Sequence, residues 1–255
     1  MSRPATSPRA GMLERTLSIL ALFTETRVEW RVTDVAEALN LPVPTTYRIV
    51  GTLVAQGLVR PTDGGYRLGS AALDLGRRAA AGFDLGSVVG RELRSLAEKT
   101  EETGILSVLD EAARTGVCVD RVDSAQPLRL SLEVGRRMPL HAGAASKVLL
   151  AFGPIAVRDA VLAGPLPRLA HGTITSPVAL SEELAAIRTA GFAVSREETN
   201  ESAWGLSAPI LGVGGVLLGS IGMAGPLVRC TPDAQETARS SVLASARRAE
   251  LALGT

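Results

Sequence analysis

Four consecutive residues, Thr45, Thr46, Tyr47 and Arg48, bring together two hydroxyls, a phenol and a guanidinium. Pro44 precedes them, and proline is favoured in the first turn of a helix. The free N–H groups of a helix N-terminus favour phosphate, and an arginine can donate two hydrogen bonds to guanine in the major groove of DNA. The pattern therefore favours nucleic-acid recognition. The alternative is an ordinary exposed helix face on which Arg48 binds nothing.

A second group, His141, Ser146 and Lys147, combines a hydroxyl nucleophile with two bases. Lys147 can equally be a solvated or carbonyl-bonded side chain on a short helix. The chain contains no G-x-S-x-G, H-E-x-x-H, P-loop or G-x-G-x-x-G motif. Glu197 and Glu198 are adjacent, and neighbouring residues of an extended segment point to opposite faces. We therefore predict no enzyme activity, no catalytic residues and no cofactor.

Composition narrows the class of protein further. With 255 residues, 46% of them hydrophobic and 21% charged, the chain is predicted to form one large or two small folded domains. No stretch reaches the roughly 18 apolar residues that cross a bilayer, and residues 1–10 lack the apolar middle of a secretion signal. Cys118 and Cys230 belong to no C-x-x-C pair, so no metal site is expected. These features predict a cytoplasmic protein without a membrane partner.

The net charge of +1 is unevenly divided along the chain. Residues 1–82 carry ten arginines against seven acids, whereas residues 83–255 carry 17 basic residues against 19 acids. A basic N-terminal segment followed by a mildly acidic remainder is typical of a nucleic-acid-binding domain joined to a second domain. A compositional bias of the source genome would give the same imbalance.

Local signals in residues 12–69 predict three helices followed by a hairpin. The helices are predicted over 12–25, over 33–39 with Thr33 as N-cap, and over 44–56 before Gly57. Two extended runs flank Asp63-Gly64, which is a strong signal for a tight hairpin. This order is that of a winged helix-turn-helix, whose recognition helix enters the major groove.

A helical wheel divides the third helix into two faces. The inward face consists of Ile49, Val50 and Leu53 with Thr46 beside them, and the outward face consists of Tyr47, Arg48, Gly51 and Thr52. We therefore expect Thr46 to cap the helix or to meet phosphate rather than to read bases.

After a predicted linker helix at 70–83, helices and strands are mixed. Helices are predicted over 84–103 with Asp84 as cap and Gly104 as the end, over 144–152, from a cap at Ser181 to Gly191, and over 232–253. Strands are predicted over 105–109, 117–122, 128–132, 208–211 and 216–223. This pattern indicates an α+β domain in which helices cover a sheet.

Taken in series, these motifs resemble IclR-family transcriptional regulators over residues 12–253. The N-terminal motifs are Leu13–Leu20, Val35–Pro42, Thr45–Val50 and Gly65–Gly69. The C-terminal motifs are Val134–Ala142, Ser146–Ala151, Thr173–Thr175, Gly191–Ala193, Glu197-Glu198 and Ala208–Ile210. The resemblance implies a disordered start (1–11), a winged helix-turn-helix (12–69), a linker helix (70–83) and a GAF-like α/β effector-binding domain (84–255).

The resemblance also implies partners and DNA-binding residues. The partners are a pseudo-palindromic double-stranded DNA operator, a small organic effector, and further copies of the chain in a homodimer or homotetramer. The implied DNA-binding residues lie around the recognition helix and the wing: Thr33, Pro44, Thr45, Thr46, Tyr47, Arg48, Thr52, Gly64 and Arg67.

The implied effector pocket starts at a helix N-terminus, Gly143–Ser146, whose N–H groups can hold a carboxylate. The family pocket also uses an acidic residue, a cysteine and small hydroxyl residues, but the matching positions here are Ser195, Gly205, Gly222 and Ala224. Because these losses remove hydrogen-bond partners and enlarge the cavity, we expect an effector larger and more apolar than a two- or three-carbon acid, for example an aromatic acid. The full set is Leu130, Gly143, Ala144, Ala145, Ser146, Ser195, Ala203, Trp204, Gly205, Gly222 and Ala224.

Two alternatives stay open at this point. Trp204 is either part of the pocket wall or a core residue with a satisfied N–H. The protein is either a ligand-responsive DNA-binding regulator, or a small-molecule sensor or hydrolase-like enzyme whose helix-turn-helix serves only as an interaction surface. DNA binding that weakens steeply with salt distinguishes the two functions.

Overall fold

The computed structural model describes residues 11–24, 27–75 and 85–254. The chain divides into two compact units, Met1–Gly82 and Phe83–Thr255. Among the described residues, no helix is both long enough and apolar enough to cross a bilayer.

Between residues 11 and 69, the described part of the N-terminal unit consists of three helices and a hairpin. They are α1 (Met12–Leu20), α2 (Val32–Leu39), α3 (Val43–Ala55), β1 (Val59–Thr62) and β2 (Gly65–Leu68). Trp30 adds an isolated antiparallel bridge to Tyr66. One apolar core joins these elements through Ile19, Trp30, Val32, Val35, Leu39, Ile49, Val50, Leu53 and Val59. The unit is a winged helix-turn-helix.

The turn between α2 and α3 sets the direction of the recognition helix. Asn40 ends α2 in the left-handed region, at φ 52° and ψ 48°, which asparagine tolerates better than most residues. Pro42 then takes an extended conformation as the N-cap of α3, and Pro44 occupies the first turn of that helix. The apolar stripe of α3 consequently faces the core, and its other face is left exposed.

The C-terminal unit is a six-stranded antiparallel sheet with helices on both faces. The strands are β3 (Thr103–Asp110), β4 (Thr115–Val122), β5 (Arg137–Pro139), β6 (Ala193–Arg196), β7 (Ala203–Leu211) and β8 (Leu217–Pro226), in the spatial order β5-β4-β3-β8-β7-β6. The helices are α4 (Leu85–Thr100), α5 (Ala144–Phe152), α6 (Ile155–Leu162), α7 (Pro177–Ala190) and α8 (Pro232–Ala252). The prediction of an α+β fold is confirmed.

Alternation along β7 separates the two faces of this sheet. Trp204, Leu206 and Ile210 pack with α4 and α8 in one core. Ala203 and Gly205 point to the opposite face because successive strand residues alternate. On that opposite face α5 packs with α6 and α7 in a second core.

Two predicted helix caps are wrong. Thr33 lies inside α2, whose N-cap is Arg31, and its Oγ1 donates to Asp34 instead of accepting a helix N–H. Ser181 lies inside α7, which starts at Pro177 after the N-cap Ser176. Proline starts a helix there because it lacks the N–H that would otherwise need a partner.

The predicted strand at 128–132 is also wrong. The carbonyl groups of Leu128, Leu130 and Leu132 accept hydrogen bonds from the side chains of Arg229, Thr103 and Arg121, respectively. These bonds satisfy the backbone without a neighbouring strand. Side-chain donors this distant in sequence leave no local signal.

Several element ends also differ from the predictions. Gly104 lies inside β3 and does not close a helix, because α4 already ends at Thr100. Helix α1 ends at Leu20 rather than at residue 25, and α6, β5 and β6 were not predicted. The start at 1–11 and the linker helix at 70–83 lie partly outside the described residues, and the cap at Asp84 lies wholly outside them; residues 70–75 are helical.

Candidate DNA interface and ligand cavity

The exposed face of α3 carries the side chains expected to meet DNA. Tyr47 is 55% exposed, and Arg48 and Thr52 are also exposed. Thr52 Oγ1 donates to the carbonyl oxygen of Arg48 at 3.0 Å, a bond within the helix. In the described part of the chain, the guanidinium of Arg48 has no ion pair or hydrogen bond. Its five donors are therefore available to an external acceptor.

Thr46 does not take the role expected of it. Its side chain is fully buried, and its Oγ1 donates to the carbonyl of Pro42 at 3.2 Å. It therefore neither caps the helix by accepting an N–H nor reaches a phosphate. Thr45 is half-buried and Pro44 is exposed at the start of the same helix. Thr33 is exposed in the first turn of α2, where its hydroxyl bonds to Asp34.

The wing is fixed by Glu29, a residue that sequence reasoning missed. Its carboxylate accepts hydrogen bonds from Thr62 Oγ1 and, at 3.0 Å, from Arg67 Nη2. Gly64 lies against the same carboxylate, since a Cβ at Gly64 would come within 2.8 Å of Glu29 Oε1. Arg67 is thus partly neutralised, whereas Arg60, its cross-strand neighbour in the hairpin, is exposed. The hairpin register was readable from the sequence and could have indicated Arg60.

Protonation of Glu29 is expected to loosen the wing at acidic pH. Hydrogen bonds from Thr62 and Arg67 lower the pKa of Glu29 below its ordinary value. Such a carboxyl group stabilises the folded state fully above its unfolded pKa, and this contribution is lost as the pH falls through the folded pKa. Amide exchange of residues 59–68, corrected for intrinsic rates, should therefore accelerate on acidification.

Variants separate this effect from general acid unfolding. Glu29→Gln should exchange fast in the hairpin already at neutral pH and lose the pH dependence there. Glu37→Gln, at an exposed position of α2, serves as the charge-matched control. An unchanged pH profile in Glu29→Gln would show that Glu29 does not hold the wing.

A cavity of about 440 Å³ opens on the α5 face of the C-terminal sheet. All eleven residues of the expected effector set border it: Leu130, Gly143, Ala144, Ala145, Ser146, Ser195, Ala203, Trp204, Gly205, Gly222 and Ala224. Three strands supply the small residues, namely Ser195 on β6, Ala203 and Gly205 on β7, and Gly222 and Ala224 on β8. The volume lies within the range of small-molecule sites.

The N-terminus of α5 forms one wall of the cavity. Gly143 holds φ +89°, a conformation that favours glycine, and it precedes the first helical residue, Ala144. The N–H of Gly143 donates to Glu198 Oε2 at 2.9 Å. The following N–H groups, of Ala144, Ala145 and Ser146, have no partner within the helix, which makes this wall suited to a carboxylate.

Lys147 lies behind this wall in a buried ionic network. Its Nζ donates to Glu198 Oε1 and Glu183 Oε1, both at 2.7 Å, and to the carbonyl of Val194 at 2.9 Å. Only 1% of its side chain is exposed, against 7% for Glu198. All three ammonium donors are used, so Lys147 is a structural cation rather than a base. The network links α5 to the segment after β6 and fixes the position of Gly143.

His141 Nε2 is not available as a base for Ser146. His141 Nε2 lies 2.9 Å from the carbonyl oxygen of Pro167, which can only accept a hydrogen bond. This nitrogen therefore carries the proton and cannot act as a base. The side chain of His141 is buried.

Trp204 has features of both alternatives. Its side chain is 2% exposed and packs in the core with α4 and α8, and the residue also borders the cavity. Its Nε1 has no hydrogen-bond partner among the described residues, so the alternative of a core tryptophan with a satisfied N–H does not hold within them.

A winged helix-turn-helix with an exposed arginine on its third helix, on the same chain as a cavity of small-molecule size, defines a ligand-responsive transcriptional regulator. The chain belongs to the IclR family, because residues 78–250 match the model of the bacterial transcriptional regulator IclR C-terminal domain and residues 12–63 match that of the IclR helix-turn-helix domain.

Individual relatives are consistent with this assignment. The chain is 30% identical over 256 residues to the transcriptional repressor IclR of Escherichia coli (strain K12), covering 98% of this chain and 93% of that protein. It is 33% identical over 226 residues to the glycerol operon regulatory protein of Streptomyces griseus, with 87% of each chain covered. A crystal structure of an IclR homolog from Microbacterium hydrocarbonoxydans complexed with 4-hydroxybenzoate superposes with a TM-score of 0.84, at 27% identity over 96% of this chain and 99% of that chain.

Proposed function

We propose that the protein acts in the cytoplasm as a homodimer or homotetramer that binds a pseudo-palindromic operator, and that an aromatic acid in the cavity changes its affinity for DNA. The observation that carries the DNA-binding part is the exposed guanidinium of Arg48 on α3, which has no partner among the described residues. A two-fold dimer would present two such helices about one turn of DNA, or roughly 34 Å, apart. The same proposal includes the domain limits: a winged helix-turn-helix at 12–69, a linker helix at 70–83 and an effector-binding domain at 84–255.

Exposed apolar side chains on α1 support self-association. Met12, Leu13 and Leu17 are 51%, 73% and 58% exposed, although α1 buries Ile19 on its other side. A contiguous apolar patch of this kind favours contact with another protein surface. A second copy of the chain fits, because operators with two half-sites require two recognition helices.

The chemistry of the cavity supports an aromatic acid as effector. The strands that line it contribute glycine, alanine and serine, which leaves room for a ring, and the α5 N-terminus supplies donors for one carboxylate. The relative complexed with 4-hydroxybenzoate supports the same class. We propose that the site binds rather than transforms this ligand, because the ammonium group of Lys147 and Nε2 of His141 are engaged in hydrogen bonds.

Coupling between effector and DNA follows from linkage. An effector changes DNA affinity only if it binds the DNA-competent and incompetent arrangements with different affinities. The linker at 70–83 is the covalent connection between the proposed domains. We therefore propose that it transmits the effect of ligand binding to the DNA-binding domain.

Fluorescence anisotropy with the DNA upstream of the protein's own gene tests the proposal. Affinity should fall steeply as salt rises, because phosphate contacts release counterions. Benzoate should raise the melting temperature of the wild type and shift the DNA titration, whereas glyoxylate should do neither. Ala224→Phe fills the cavity and should abolish both effects of benzoate while leaving the salt-dependent DNA binding intact. Salt-independent DNA binding, or stabilisation by glyoxylate alone, would contradict the proposal.

A further inference from the structure

We propose that Arg136 binds a second anionic group of the effector, so that the preferred ligand is a ring-sized acid with negative charge at both ends. The inference rests on the proposed function, because it takes the 440 Å³ cavity as the effector site. It goes further in assigning a specificity-determining residue and a ligand class.

Arg136 and Arg137 are adjacent, but only one of them is free. Arg137 Nη1 donates to Asp110 Oδ2 at 2.6 Å and to Thr115 Oγ1 at 3.1 Å, so its charge is paired with a carboxylate. The side chain of Arg136 has no hydrogen bond or ion pair among the described residues, and it borders the cavity. The two therefore differ in what they can offer a ligand.

The strand register explains this difference. Met138 lies opposite Gly116, and a Cβ at Gly116 would lie 3.4 Å from Ser146 Oγ of α5. Met138 is therefore on the α5 face of the sheet, where the cavity lies. Arg136 shares that face because side chains two residues apart in an extended segment point the same way. Arg137 starts from the other face of the sheet; it also borders the cavity, but Asp110 and Thr115 hold its guanidinium.

The backbone of Arg136 is held firmly at the sheet edge. Its carbonyl accepts the N–H of Cys118 at 3.1 Å, and its N–H donates to the carbonyl of Glu133 at 3.0 Å. The N–H of Gly135 donates back to the carbonyl of Cys118 at 2.7 Å. These bonds extend the β4–β5 pairing by one residue. The backbone of Arg136 is therefore held in place beside the cavity, and only its side chain is free to change conformation.

The charges around the cavity indicate the ligand class. Among the described residues that line it, Arg136 and Arg137 are charged and no aspartate or glutamate is present. With Arg137 paired to Asp110, Arg136 is the uncompensated charge. The α5 N-terminus provides a second, separate region that favours an anion. We therefore infer that the ligand class is a rigid ring with an anionic group at each end.

Calorimetric titration of the full-length protein with terephthalate and with benzoate tests the inference. The wild type should bind terephthalate about tenfold more tightly than benzoate, as expected for one additional charge-assisted hydrogen bond. Arg136→Gln should weaken terephthalate binding by about the same tenfold factor and leave benzoate binding unchanged. Arg129→Gln removes an exposed charge from the neighbouring loop, outside the cavity lining, and should change neither.

Three results would overturn the inference. They are equal wild-type affinity for the two acids, an equal loss of terephthalate binding in Arg136→Gln and Arg129→Gln, and failure of both acids to bind. The first two leave the proposed function intact, because benzoate still binds in the cavity. The third also contradicts the proposed effector class, and the DNA titration then decides separately whether the protein reads an operator.

Discussion

Replacing Arg48 by alanine is expected to weaken binding to the operator by about 1–3 kcal/mol per contacted half-site, which is about 5- to 150-fold. The guanidinium is exposed on the outer face of α3 and has no partner among the described residues. A bidentate contact to guanine distinguishes one base pair from the others, so binding to random DNA should fall much less. Anisotropy titrations with operator and random duplexes at one salt concentration measure the two losses.

Arg60→Ala is the matched control for this experiment. Arg60 is an exposed arginine on the wing, where contact with the DNA backbone is expected. Its loss should weaken binding to both duplexes equally and reduce the salt dependence by about one unit of slope per chain. Equal losses on both duplexes for Arg48→Ala would assign Arg48 to phosphate and remove it from base recognition.

Replacing Lys147 by methionine is expected to lower the free energy of unfolding of the C-terminal unit by about 3–5 kcal/mol. The substitution keeps the apolar length of the side chain but leaves the carboxylate of Glu198, 7% exposed, without its cation. Urea unfolding followed through Trp204 fluorescence, in a Trp30→Phe background, reports on this unit alone. Benzoate binding should weaken as well, because Glu198 positions the N–H of Gly143 at the cavity wall.

A double variant distinguishes the cost of the unpaired charge of Glu198 from the cost of losing the hydrogen bonds of the network. Lys147→Met combined with Glu198→Gln should recover part of the lost stability, since glutamine keeps an acceptor for Gly143 and removes the unpaired charge. Arg239→Met breaks a surface pair with Glu236 and should change stability little. If Lys147→Met is no more destabilising than Arg239→Met, the buried network does not support the unit.

Much of the N-terminal unit could be predicted from short-range signals. Pro44 at the start of α3, Gly57 after it and Asp63-Gly64 in the hairpin act on their own backbone, so they are readable in any context. The errors occurred where two local signals compete, as at Ser176 and Ser181. They also occurred where burial decided the outcome, as for Thr46, which lies in the core.

The residues of the candidate effector site could be predicted mainly from the resemblance to the family. The eleven predicted effector-site residues come from five separate segments of the chain. Periodicity alone does not indicate that these segments meet around one cavity. Glu29 and Arg136 were missed because their importance depends on neighbours. Glu29 lies 33 and 38 residues from Thr62 and Arg67, and Arg136 is distinguished from Arg137 by the ion pair that Arg137 makes with Asp110, 27 residues away.

The sequence by itself determined the class of this protein: the order of helices and hairpin, the two-part organisation, and the small residues that leave space for a ligand. Those properties follow from local backbone preferences and side-chain size, which each residue carries with it. The tertiary structure alone decided which charges are neutralised and which are free. Lys147 and Arg137 are bound by carboxylates, while Arg48 and Arg136 have no partner among the described residues. The reason is that electrostatic and hydrogen-bond energies depend on distances between atoms, and for residues far apart in sequence only the folded chain sets those distances.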